Sequence, residues 1–194
     1  MNLYENFIVN LNESSELDKK IQEYKDYVEQ HRSNVKKAWN YIKEIDNPYI
    51  QNNIDIISEN IDNHDLDKYK DDIFDSYRKK YFPINDEESN EVMENIENIF
   101  KIHYSRNPHH WQYWLDDDGD LNDLMHNNED IDNDVMIAYI EMLCDWCSFG
   151  LKNNNPKEVR NWYISNKPTI TLFPKEQEVL EEILKEYCDL FSED

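Results

Sequence analysis

From Val135 to Gly150 only two residues are charged, Glu141 and Asp145, in a chain of 194 residues whose formal net charge is −23. The rest of the stretch is apolar or small, and Met136, Ile137, Ile140, Leu143, Trp146 and Phe149 cover every side of a 3.6-residue period. A helix that is apolar all round must be buried. The stretch therefore predicts a central helix over about 133–152, with the other elements packed round it. Glu141 and Asp145 stand four residues apart and share one face of that helix. An unpartnered carboxylate there would cost on the order of several kcal/mol. Basic residues are scarce, 20 Lys and Arg against 43 Asp and Glu. A metal ion would satisfy Asp145 directly, with Glu141 supporting the ligands from behind. The alternative for either carboxylate is a hydrogen bond from Arg160 or a Trp N–H.

The remaining chain reads as helix after helix. Two Gly and six Pro leave little material for a turn-rich β-fold. Ser15 with Asp18 predicts an N-cap opening a helix to Ile45, striped by Leu17, Ile21, Tyr24, Val28, His31, Val35, Trp39 and Ile42. Further helices are expected over about 49–61, 67–81, 86–105, 156–165 and 174–191, with Pro48, Pro83 and Pro174 as boundaries. The expectation is an all-α bundle of about six or seven helices forming a single domain over residues 1–194. Cys144 and Cys147 form a C-x-x-C, but they sit inside the apolar helix without a βαβ context, so they read as small buried hydrophobes.

Five of the six histidines follow an ordered series: His31, His64 with Asp65, His103, then His109 with His110, and Asp145 closes it. His31 and His103 both take core-facing slots in helical stripes. Imidazoles and carboxylates scattered over several buried elements have few uses besides holding divalent ions. His126 lies in the acidic segment 116–134 and reads as solvated, outside this series. The run Asp116–Asp120 hints at calcium, yet Trp114 stands where an EF-hand needs an acidic residue, so the segment reads as a solvated acidic loop.

The string NHDLDK, Asn63 to Lys68, resembles the HDxGK core of the HD-domain metal-dependent phosphohydrolases. The whole series resembles the two-metal branches of that superfamily, such as the HD-GYP type. The strings HYSRNPHHWQYW (103–114) and EMLCDW (141–146) also resemble a family of small phage and bacterial proteins with no established activity. The resemblance implies an HD-domain-like fold and a site for one or two divalent ions (Mn, Fe, Co or Mg). Asp65 would bridge them, with His31, His64 and Asp145 on one side and His103, His109 and His110 on the other. Catalytic roles fall to Asp65, Lys68, Glu141 and Arg106. Lys68 lies four residues after His64 and would meet a phosphate one helical turn above the metal, with Arg106 the next cation. Asp67 stands where the superfamily has Gly, and the GYP segment is absent.

These readings imply a hydrolase acting on a small phosphorylated molecule, a nucleotide or cyclic nucleotide, by a metal-activated water. Iron and dioxygen chemistry on a similar donor set is one alternative, and a non-enzymatic acidic binding or inhibitor protein is another. The net charge disfavours nucleic-acid polymers and anionic membranes as partners. No apolar run approaches the roughly 20 residues of a membrane span, and residues 1–6 lack a signal-peptide pattern, so the expected location is cytoplasmic. Apolar helices near the C-terminus allow a homodimer. Trp111, Tyr113 and Trp114 could stack on a base or wall the core.

Overall fold

The computed structural model describes residues 3–127 and 130–192, with side chains from residue 15 onward. The reading of residues 1–2 and the Asn128–Glu129 part of the acidic loop lie outside the described residues. Nine α-helices form among the described residues and no strand does: α1 Leu3–Ile42, α2 Pro48–Gln51, α3 Ile54–Asn63, α4 Asp71–Tyr81, α5 Asp86–Met93, α6 Ile96–Tyr104, α7 Asn133–Lys152, α8 Glu158–Asn166 and α9 Pro174–Asp189. The chain is all-α, and no described helix is long and apolar enough to cross a membrane.

The count exceeds the six or seven expected because asparagines interrupt two helices. Asn53 donates its side-chain amide to the Tyr49 carbonyl and exchanges amide hydrogen bonds with Asn133, which separates α2 from α3. Asn95 accepts from the Asn98 amide at 2.6 Å between α5 and α6. The bond from Asn53 to the Tyr49 carbonyl is the local side-chain-to-backbone kind by which asparagine competes with a helix. Ser15 does not start a helix, since α1 already runs through it from Leu3.

Two compact units are distinguished by their internal contacts: Met1–Gln30 with Leu66–His103, and His31–Asp65 with Tyr104–Asp194. In the first unit Tyr24, Val28, Ile73, Tyr77, Val92, Ile96 and Ile99 make the core. Arg78 is almost wholly buried there, and its guanidinium donates to Glu88 at 2.6 and 3.0 Å and to Asp75 at 2.7 and 3.1 Å. Asn85 caps α5 by accepting from the Glu88 backbone N–H, and the Glu88 carboxylate reaches back to accept from the N–H of Ile84, the residue before the cap, which also aims the carboxylate at Arg78.

In the second unit α7 is the axis, packed by α2, α3, α8 and α9. Every residue from Val135 to Cys144 is buried, as its pattern requires, whereas Phe149 is exposed. Asp132 caps α7 by accepting from the N–H groups of Asp134 and Val135. Cys144, Cys147 and Cys188 are free buried thiols. Trp114 is buried and donates Nε1–H to the Pro108 carbonyl at 2.8 Å, with Trp111 and Tyr113 packed against the same core. His126 is not a solvated residue: its Nε2 lies 2.9 Å from the nearly fully buried Glu176 carboxylate, which also accepts from Asp132 N–H. The acidic sequence round His126 concealed this partner because Glu176 is 50 residues away.

Candidate metal centre

Three helices and one turn of the second unit supply the site. α1 brings His31, the end of α3 brings His64 and Asp65, and the turn after α6 brings His109 and His110. α7 adds Glu141, Asp145 and Ser148, which its 3.6-residue period places on one face. The His64–Asp65 doublet does not open a helix. His64 is the C-cap of α3, and Asp65 takes a left-handed backbone with φ of 60° before a 3-10 turn over Leu66–Tyr69. Aspartate tolerates that region better than most residues, and a strained backbone of this kind clusters at functional sites. The Arg32 guanidinium holds the bend by donating to the carbonyls of Asp62 at 2.7 Å and His64 at 2.9 Å.

Four side chains aim at a common centre. His31 Nε2 lies 3.2 Å from Asp65 Oδ2, 3.1 Å from Asp145 Oδ1 and 3.4 Å from His64 Nε2. His64 Nε2 lies 3.5 Å from Asp65 Oδ2 and 4.0 Å from Asp145 Oδ1. Atoms bound at about 2.1 Å to one ion stand roughly 3 to 3.5 Å apart, so the spacing fits a first coordination shell. Asp145 Oδ1 is buried and faces the Nε2 atoms of both His31 and His64, as a ligand atom of a shared centre would. Ser148 Oγ lies 3.3 Å from His31 Nδ1 and orients that ring.

A second set adjoins the first through the other Asp65 oxygen. His109 Nε2 is 3.7 Å from Asp65 Oδ1, and ligand atoms of Asp65, His109 and His110 all lie within 4.8 Å of one another. Behind both sets, Glu141 Oε1 lies 2.9 Å from His64 Nδ1 and 3.0 Å from His109 Nδ1. Buried His, Asp and Glu groups are thus positioned to hold a metal ion.

Electrostatics agree. Burial pushes the Glu141 carboxyl up, but the hydrogen bonds from His109 and His64 outweigh it and hold it at about 2. Burial also raises Asp145, and the adjoining His31 reverses that and holds its carboxyl well below the usual range. Burial lowers the His31 imidazole, and the Asp145 and Asp65 carboxylates outweigh it, raising it to about 9. These shifts record carboxylates paired with imidazoles in a dry site, and an ion bound there would take over that pairing by displacing the imidazole protons.

The other expected residues stand as follows. His103 belongs to the first unit, where its Nδ1 lies 2.8 Å from Asp67 Oδ2 and its ring meets Tyr77 edge-on. Lys68, also in that unit, holds its ammonium 5.7 Å over the Tyr77 ring. Its placement one α-helical turn above His64 does not hold, because the left-handed Asp65 and the 3-10 turn break the helical path between them. Arg106 is exposed in the turn after α6. Sequence reading missed Asp67, Ser148 and Arg32 as supports. Asp67 stood out only as a departure from the HDxGK pattern. Ser148 carried a findable signal, three residues beyond Asp145 on the same face.

No curated protein and no solved structure matches the chain. The model of one family matches residues 20–186, which takes in the whole His/Asp series, and the chain belongs to that family, a family of unknown function designated DUF5662.

Proposed function

We propose that this chain is a metal-dependent phosphohydrolase of the HD-domain type acting on a small phosphorylated molecule, a nucleotide or cyclic nucleotide. The observation that carries the proposal is the convergence of His31, His64, Asp65 and Asp145 at coordination spacing, with the second Asp65 oxygen facing His109. Bound divalent ions supply Lewis acidity toward phosphoryl oxygens and a water acidic enough to become hydroxide near neutral pH. The donor set of imidazole nitrogens and carboxylate oxygens suits Mn, Fe or Co. Asp65 offers one oxygen to each of two adjoining positions. Ser148 and Glu141 hold the rings so that the Nε2 lone pairs face inward. Arg106, in the turn that carries His109 and His110, is the cation assigned to the phosphate. A cavity of about 360 Å³ is lined by Trp146, Phe149 and Trp162, and the Phe149 ring lies 5.5 Å from that of His31. Its size and aromatic walls suit a planar group such as a nucleobase.

The test is hydrolysis of nucleoside monophosphates, cyclic nucleotides and phosphorylated sugars by the Mn(II)-loaded chain. Turnover by the wild type and none by Asp65→Ala is the expected result. Oxygen consumption with iron(II) and no phosphate release would instead indicate an oxygenase, since the same donors suit iron. A folded chain that takes up no ion would favour the acidic binding-protein reading.

A further inference from the structure

We infer that Glu141 is a positioning residue shared by two metal positions, one oxygen of which fixes both His64 on the first and His109 on the second. The inference rests on the metal reading above and deepens it.

Neutral imidazole has two tautomers, and only the nitrogen without a proton binds a metal. Glu141 Oε1 lies at hydrogen-bond distance from Nδ1 of both rings, 2.9 and 3.0 Å. A carboxylate oxygen has two lone pairs and accepts both N–H groups at once. Both rings therefore carry the proton on Nδ1 and present the Nε2 lone pair. Those Nε2 atoms are the ones found 3.5 Å from Asp65 Oδ2 for His64 and 3.7 Å from Asp65 Oδ1 for His109. The two rings lie side by side with centroids 4.3 Å apart, so one acceptor serves both without either turning away. Glu141 is 5% exposed, so bulk solvent does not compete with it as the acceptor for these two N–H groups. His31 differs, because its Nδ1 partner is Ser148. Loss of Ser148 or Asp145 thus affects one position, whereas loss of Glu141 frees a ring in each. Support from behind a ligand is worth about 10- to 100-fold in metal affinity, and here that factor applies to two positions through one residue.

The experiment is a Co(II) titration of the metal-free full chain, read by its visible absorption, for wild type, E141A, E141Q and D145A. Two binding steps are expected in the wild type. E141A should weaken both by about 10- to 100-fold. E141Q keeps an acceptor oxygen and should leave both near wild type, and D145A should weaken one. Far-UV circular dichroism checks the fold of E141A, and E141Q carries the comparison if E141A fails to fold, because loss of both steps in E141Q would overturn the role of the acceptor oxygen. E141A weakening one step or neither would also overturn the inference. Ring-nitrogen NMR of the metal-free chain separates this inference from the metal reading. Both His64 and His109 should show the proton on Nδ1 in the wild type, and a proton on Nε2 of either ring overturns the inference. A wild type that binds no Co(II) yet shows the Nδ1 pattern overturns the metal reading and the two metal positions with it, leaving only Glu141 as the acceptor that fixes both tautomers.

Discussion

The two units bury charge in opposite ways. In the first, Arg78 is 1% exposed and its guanidinium is matched by Glu88 and Asp75 within 3.1 Å. In the second, Asp65, Glu141 and Asp145 gather round His31, His64 and His109 at 2.9 to 3.7 Å. A guanidinium presents five donors in a planar fork and saturates two carboxylates at once. An imidazole donates from one edge and accepts at the other, so a cluster of imidazoles and carboxylates keeps acceptors in excess. Arg78 closes its site from within the chain, while the histidine cluster is positioned to take a cation from outside.

Substitutions that exchange these behaviours should have graded effects. The largest is expected at Asp65, which faces both positions. Asp65→Ala should lower metal affinity by more than about 100-fold, beyond what loss of a supporting group costs, as read by calorimetric titration with Mn(II). Retained affinity would remove Asp65 from the centre of the site. Chelation comes next. An ion at roughly a thousand times its Kd adds about 4 kcal/mol to stability, so a chelator should lower the thermal midpoint by about 10 °C in a chain of this size. An unchanged midpoint would mean that the cluster is self-sufficient, like Arg78.

Glu88→Ala should cost about 2 kcal/mol, the range for a hydrogen bond to a charged group, and leave metal uptake untouched. Arg78 holds the Glu88 carboxyl below its usual range, an effect greater than the rise from burial. The stabilisation is therefore full above the ordinary carboxylate pKa and is lost as pH falls through the lowered value. Denaturant midpoints of wild type and Glu88→Ala should converge on acidification, and a constant gap would contradict the ion pair. The smallest effect is expected at His126. His126→Ala removes one bond to Glu176 and should cost about 1 kcal/mol without changing ion content. Loss of metal in that variant would extend the site to a residue placed outside it.

The core helix α7 was legible in the sequence because its pattern is extreme, and its observed bounds match those expected. Helix breaks at Asn53 and Asn95 were not, since they depend on amide partners rather than on Pro or Gly. Within the site, His31, His64, Asp65 and Asp145 could be nominated from residue type and stripe position. Their spacing could not, because it depends on the left-handed turn at Asp65 and on Arg32 holding the end of α3. The pairing of Asp67 with His103 was hidden for a different reason. It joins residues 36 apart in sequence, and no periodicity links them.

The central claim, that this cluster holds a metal, is tested most directly by elemental analysis of the purified, dialysed chain before and after loading with Mn(II). At least one equivalent of divalent ion per folded wild-type chain, lost in Asp65→Ala and retained in Glu88→Ala, is the predicted result. A folded wild-type chain with no bound ion in either state would contradict it.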